Sequence, residues 1–343
     1  MALRLLDMLN TFYMPVVIYL GLVGNLLSLV TFLFTHLKSR TSSLYMGSLA
    51  ISDAGFLFVL SFAWLQERGV NVSEQGWCQI LVFLSSAFSC CSVWLTVGFT
   101  AERFVAVRYP MWRFQLGVTK LHPKTAIIAT AVCSFAFNAH LLVFVGVRQM
   151  QGGFQECGLN PQYEDALYYI NILDTVLTLI VPFVLITVMN AMIARAVYLF
   201  YARYKRRSAM AIDGEPFKTD NPSRRRQEIC FSADGTTTAV CGGGIPHSAQ
   251  IGVTRMLLVI STVFILLNLP SYVTRIYVFV LSLAEADSQD SPSSGSLPYI
   301  LQRYFMLLYY TNFAINFVLY NASSRMFRRT MCKYFCGRWT SVC

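Results

Sequence analysis

Ionisable side chains are rare inside the apolar stretches of this 343-residue chain, and the few present suggest pairing rather than bond making. Glu102 and Arg103 are adjacent and end a run that holds no charged residue between Glu74 and Glu102. A neighbouring carboxylate and guanidinium can form an ion pair at the end of an apolar helix. Asp53 is a lone carboxylate within one apolar stretch and Asp174 within another. Glu67, Arg148, Arg275 and Arg303 bring both signs of charge close to Trp64, Phe83, Tyr272 and Tyr304. No His, Cys and Asp constellation faces one compartment, so the residues offer neither a nucleophile with its base nor a metal site, and an enzyme is not expected.

These groups need a scaffold that crosses a membrane. The chain is 55% hydrophobic and 13% charged, with a mean hydropathy of +0.52, whereas soluble domains carry about 25% charged residues. A charge at mid-bilayer costs at least ~2.5 kcal/mol, so charge-free runs mark the crossings. Seven follow in order: Met8–Leu37, Thr41–Gln66 interrupted by Asp53, Gln75–Ala101, Thr125–Val147, Ala166–Ala194 with Asp174 inside, Met256–Thr274 and Tyr304–Ser324. Each is close to the roughly 20 residues a spanning helix requires. Cys78 lies 25 residues before Arg103. At ~1.5 Å per residue, one helix would hold the two roughly 38 Å apart, a bilayer with its headgroups. The expected fold is an all-α membrane protein, a bundle of seven transmembrane helices.

With the amino terminus outside, nearly all Lys and Arg fall on the cytoplasmic side, as the positive-inside rule requires. The net charge of +10 then marks a membrane-adjacent basic face and not nucleic-acid binding. The expected organisation is a short extracellular tail (1–10), helices one to five with their loops (11–202), and a disordered third cytoplasmic loop (203–250). Helices six and seven (251–321) and an amphipathic helix with a cytoplasmic tail (322–343) complete it. Ten residues are too few for a cleavable signal peptide, so the first helix is expected to direct its own insertion. The third loop carries Lys205-Arg206-Arg207 and Arg224-Arg225-Arg226, with little apolar content to fold around.

Cys78 and Cys157 both fall on the outer, oxidising side, which permits a disulfide from the third helix to the second outer loop. Cys90, Cys91 and Cys133 read as small buried apolar residues. Cys332 and Cys336 follow the last helix beside Arg328, Arg329 and Lys333, where palmitoylation is expected to help anchor a basic amphipathic helix to membrane lipid. Free thiols are the alternative. Asn71-Val72-Ser73 is a glycosylation sequon in the first outer loop. Asn138 and His140 are expected to form an interhelical hydrogen-bonding pair.

In order, one set per helix, Gly24-Asn25, Leu49-Ala50-Ile51-Ser52-Asp53, Glu102-Arg103-Phe104, Pro182, Pro270 and Asn316-Phe317-Val318-Leu319-Tyr320 resemble the landmarks of rhodopsin-like (class A) G-protein-coupled receptors. The resemblance covers essentially the whole chain. It implies an activation switch of Glu102, Arg103, Asn268, Pro270, Asn316 and Tyr320, in which release of the Glu102–Arg103 pair opens a pocket for a heterotrimeric G protein. It also implies a polar cluster of Asp53, Ser92, Asn312 and Asn316, with Asn25 nearby, able to hold an allosteric sodium ion; no other cofactor or metal is expected. Arrestin and receptor kinases are further partners of the family, and Ser208 after Arg206-Arg207 is a candidate phosphorylation site. Four positions depart from the family pattern. Asn268 stands for the usual tryptophan, Phe317 for the usual proline and Asn190 for the usual tyrosine, and helix four lacks its tryptophan. The Asn268-Leu269-Pro270 run resembles invertebrate neuropeptide receptors of the CNMamide or FMRFamide/myosuppressin kind.

The same resemblance narrows the ligand. Ser85 occupies the position where amine receptors carry an aspartate, and helix seven has Met306 and Tyr310 but no retinal-bearing lysine. Asp174, Arg275, Arg303, Glu67, Ser85, Tyr272, Met306 and Tyr310 are the candidate ligand contacts. Charges of both signs in an aromatic cavity suit a short peptide with a cationic side chain and a carbonyl-rich amide end. The alternative is that Asp174, Arg275 and Arg303 pair among themselves or snorkel to water. A class A receptor for a lipid or other non-peptide ligand is the second functional reading, and a seven-helix transporter or channel the third.

Overall fold

The computed structural model describes residues 2–70, 76–108, 123–149, 155–160, 163, 169–170, 172–212, 247–285, 297–335 and 337. Seven long helices form the bundle: α1 (Ala2–Leu33), α2 (Thr41–Glu67), α3 (Trp77–Arg108), α4 (Pro123–Asn138), α5 (Val181–Ile212), α6 (His247–Glu285) and α7 (Leu297–Ser323). The shorter α8 (Arg325–Phe335) follows α7 after Ser324. Six of the described spans are long and apolar enough to cross a membrane. The remaining long helix, α7, has 27 residues and dilutes its apolar content with Gln302, Arg303, Asn312, Asn316 and five tyrosines.

The helices outrun the charge-free stretches at several ends. Residues 2–10, expected as a free tail, are the first turns of α1, rich in Leu, Met and Ala and with Leu6 buried. The segment expected as a loop over 203–250 is helical to Ile212 and again from His247. Arg, Lys, Ala and Met are strong helix formers, so a charge ends the apolar run without ending the helix. The sequon at Asn71 and the cysteine Cys336 lie outside the described residues.

Helix α3 runs through the bundle and packs on α2, α4, α5 and α6, while α1 packs on α2 and α7, and α7 on α6. Glycine permits the closest approach: a Cβ at Gly21 would lie 2.5 Å from Leu57 and 2.7 Å from Ala314. Near Arg103 the core gathers Phe32, Tyr45, Phe99, Leu257, Tyr320 and Phe327. Near the disulfide it gathers Met14, Phe56, Leu60, Leu307 and Phe313. Before Pro182 the chain makes a π-helical turn over Thr175–Ile180, a wider loop that accommodates the missing proline donor.

Between α4 and α5 lies an antiparallel hairpin, β1 (Val145–Gln149) with β2 (Gln155–Leu159), in which Val147 faces Cys157. The Cys78–Cys157 disulfide ties the hairpin to the start of α3, with the two Cα atoms 5.7 Å apart. Cys90 and Cys91 are buried as expected, but Cys133 is exposed on α4. Asn138 donates to the Ser134 carbonyl at 2.8 Å and His140 bonds the Phe137 carbonyl at 2.8 Å. Both contacts are local to the end of α4. Asn138 also meets the Cys90 thiol of α3, an interhelical contact, while the described hydrogen bond of His140 stays within its own segment. Cys332 on α8 is disulfide-bonded, so acylation there would require the thiol to be released first.

Candidate functional site

A cavity of about 360 Å³ opens between the helices at the disulfide end. Cys78 and Cys157 line it, so the disulfide forms part of its rim. Phe56, Val59 and Leu60 of α2 and Leu81, Val82 and Val93 of α3 give it apolar walls, as ligand pockets generally have. Of the eight expected ligand contacts, Asp174, Arg275, Ser85, Tyr272, Met306 and Tyr310 line the cavity. Glu67 and Arg303 are exposed and are not among the lining residues. The helical register explains the split: each sits at an outer end, where a long charged side chain reaches water.

Asp174 and Arg275 find each other. The Arg275 guanidinium donates to Asp174 Oδ2 at 3.1 Å. The pair stays accessible, with 22% of the Asp174 side chain and 48% of the Arg275 side chain exposed. Thr178 donates to the other Asp174 oxygen at 3.2 Å while also bonding the Asp174 carbonyl at 2.6 Å. The pairing alternative raised by the sequence is therefore met for these two residues, and they still face the cavity. The expected aromatic wall is revised. Trp64 donates to the Asn10 carbonyl at 3.0 Å beneath the Arg68 guanidinium, and Phe83 meets Phe135 of α4.

Among the lining residues not expected from sequence are Ser89 and Tyr309, whose hydroxyls hydrogen-bond to each other across α3 and α7. Tyr309 packs on Phe56, Phe313, Tyr310 and Tyr272 with ring centroids 5.2–6.5 Å apart. Ser89 was within reach of sequence reasoning, since it follows Ser85 by one helical turn on the same face.

Below this floor Asp53 is fully buried. Its Oδ1 accepts from Ser92 at 2.6 Å and its Oδ2 from Asn316 at 2.7 Å, linking α2, α3 and α7. Asn312 is buried on α7 with no hydrogen bond to Asp53 among the described contacts. Asn25 instead bonds the Phe313 carbonyl at 2.8 Å, joining α1 to α7. Of the expected cluster, Ser92 and Asn316 meet the carboxylate. Asp53 meets no cationic side chain among the described residues, so a small monovalent cation fits the charge of the site.

At the opposite end Arg103 Nε lies 2.8 Å from Glu102 Oε2, with a second contact of 3.3 Å to Oε1. Thr41, the first residue of α2, donates to Glu102 Oε1 at 2.7 Å. Tyr320 is buried against Phe32 and Phe327 at 5.1 and 5.6 Å between ring centroids. Asn268 is fully buried and bonds the Phe264 carbonyl at 2.7 Å, two residues before Pro270. A second departure, Asn190, accepts from Ser261 of α6 at 3.0 Å.

A ligand-sized cavity at one end, a buried carboxylate in the middle and a closed arginine pair at the other describe a transmembrane receptor. The model of the 7 transmembrane receptor (rhodopsin family) matches residues 24–320. The chain belongs to that family: it is a class A G-protein-coupled receptor, a multi-pass protein of the plasma membrane. It is 25% identical to the growth hormone secretagogue receptor type 1 of Sus scrofa over 320 residues, covering 90% of this chain and 75% of that receptor. It is 24% identical to the thyrotropin-releasing hormone receptor of Mus musculus over 344 residues, covering 90% and 74% respectively. A shorter stretch of 104 residues, 29% of this chain and 25% of the relative, is 36% identical to proteinase-activated receptor 1 of Xenopus laevis.

Proposed function

We propose that the chain is the receptor for a short, amidated neuropeptide, and that agonist binding is passed to a heterotrimeric G protein. The observation that carries this reading is the accessible Asp174–Arg275 pair on the wall of a cavity whose other described lining residues, Tyr272, Tyr309 and Tyr310 among them, are uncharged. A lipid tail gains nothing from an ion pair, whereas a peptide end offers hydrogen-bond partners to both groups. Relatives that by name answer a growth hormone secretagogue and thyrotropin-releasing hormone are consistent with a diffusible messenger.

In this reading the amino terminus and the cavity are extracellular and the Arg103 end is cytoplasmic, which agrees with the distribution of Lys and Arg. The closed Glu102–Arg103 pair belongs to the resting state. The agonist binds the open state more tightly, since equal affinity for both states shifts nothing. Sodium at Asp53 favours the resting state, Asn71 carries a glycan, and receptor kinases and arrestin act on the cytoplasmic face. The test is expression in cultured cells with a panel of synthetic amidated neuropeptides, read by calcium and cyclic AMP. A saturable response to one of them is expected. Silence across the panel despite surface expression would overturn the peptide reading in favour of a lipid or other non-peptide ligand.

A further inference from the structure

Within that reading, we infer that the Asp174–Arg275 pair is the element that reads a primary carboxamide on the ligand. The pair is monodentate: one guanidinium nitrogen of Arg275 meets Asp174 Oδ2 at 3.1 Å. Among the described contacts this is the only hydrogen bond of the Arg275 side chain, so further N–H donors remain beside the carboxylate. Asp174 Oδ1 receives only the long 3.2 Å contact from Thr178, a hydroxyl that already serves the Asp174 carbonyl. The open side of the pair therefore offers a donor and an acceptor next to each other on the cavity wall.

Ligand groups differ in how they meet that arrangement. A carboxylate only accepts, so its second oxygen would be turned toward Asp174 and repelled. An ammonium or guanidinium only donates and would be turned toward Arg275. A peptide bond has both functions, but in the trans form its C=O and N–H point in opposite directions, so it cannot serve both groups from one edge. A primary carboxamide carries its oxygen and an N–H along the same edge, and it brings no net charge. Its oxygen accepts from Arg275 and its NH₂ donates to Asp174 Oδ1, with the ion pair kept intact. No other charged side chain lines the cavity among the described residues.

The carboxamide can be a C-terminal amide or the side chain of Asn or Gln in the ligand, and the experiment separates the two. Each member of the synthetic panel is tested on the native receptor as its C-terminal amide and as its free acid. A responding peptide is also tested with each Asn or Gln changed to Asp or Glu. One of these changes is expected to lower potency by tenfold or more, and which one does so names the source. Asp174→Asn removes the repulsion and should bring the carboxamide and carboxylate forms within threefold of each other. Asp174→Ser provides a second variant, and surface staining confirms that both are delivered. A response in which neither change matters on the native receptor, or in which the variants keep the full discrimination, overturns this inference alone. Absence of any response to the panel overturns it together with the peptide reading it rests on.

Discussion

Ser261 of α6 donates its hydroxyl to the side-chain oxygen of Asn190 on α5, at 3.0 Å and in a fully buried setting. About 21 Å farther along α6, Arg275 makes its 3.1 Å bond to Asp174, just before α5. The two contacts lie on opposite sides of Pro182 and Pro270, so α5 and α6 are tied both above and below the points where their backbones bend. An interhelical hydrogen bond inside a membrane is worth about 0.6 kcal/mol, or about threefold in a two-state population. If Ser261–Asn190 holds α6 against α5 in the resting state, Ser261→Ala should raise agonist-independent signalling two- to fivefold at equal surface density. A basal nucleotide-exchange assay reads this, and unchanged or lower basal exchange would rule out the tie as a restraint.

Thr41 makes a related claim at the same end. Its hydroxyl holds Glu102 Oε1 at 2.7 Å while the carboxylate meets Arg103. The bond ties the start of α2 to the Arg103 end of α3 and fixes the carboxylate in its pairing position. Thr41→Val keeps the shape and removes the donor, so basal exchange should rise by a few fold. Glu102→Gln removes the charge itself and should raise it more, while Arg103→Ala should abolish coupling with surface expression retained. If Thr41→Val matches the native receptor while Glu102→Gln is strongly active, Arg103 alone sets the carboxylate's position.

The sequence carried the membrane helices because mid-bilayer charge is costly, and it carried Asp53, Asp174 and Glu102-Arg103 because they interrupt or end apolar runs. The disulfide was legible once Cys78 and Cys157 fell on one side. Tyr309 was not, because a tyrosine is unremarkable in a membrane helix until two helices are brought together. Nor could sequence tell whether Asp174 and Arg275 would meet ligand or each other. That depends on the relative rotation of α6 and the π-helical turn before α5, which spacing within either segment does not encode. The helix ends were misplaced for a simpler reason: charged residues stop an apolar run but favour continued helix.

Packing at Gly21 offers a test of the bundle itself. A Cβ there would lie 2.5 Å from Leu57 Cδ1 and 2.7 Å from Ala314 Cβ, with the Ala314 Cα at 3.0 Å. Leu57 has rotamers to move into, but Ala314 can yield only by moving its helix. Gly21→Val should therefore push α1 away from α2 and α7, at a cost of about 1–3 kcal/mol typical of overpacking. Reduced surface delivery and a thermal midpoint several degrees lower in detergent are expected. Native delivery and an unshifted midpoint would show that the α1–α7 approach is looser than the contact distances indicate.

Asp53 sets the last prediction, because its carboxylate has hydrogen-bond donors but no counter-charge among the described residues. Ser92 Oγ and Asn316 Nδ2 bond it at 2.6 and 2.7 Å, joining three helices. A bound sodium ion would supply the missing charge, hold α2, α3 and α7 together and oppose the rearrangement that agonist favours. Replacing choline with sodium at equal ionic strength should then weaken agonist affinity several-fold in the native receptor. Asp53→Asn removes the charge while keeping a group of the same shape for Ser92 and Asn316, so the sodium effect should vanish. Ser92→Ala keeps the charge but removes one oxygen, and a partial loss of sodium sensitivity is expected. Equal sodium sensitivity in the native and Asp53→Asn receptors would show that the ion acts elsewhere and that the carboxylate serves only to hold the helices.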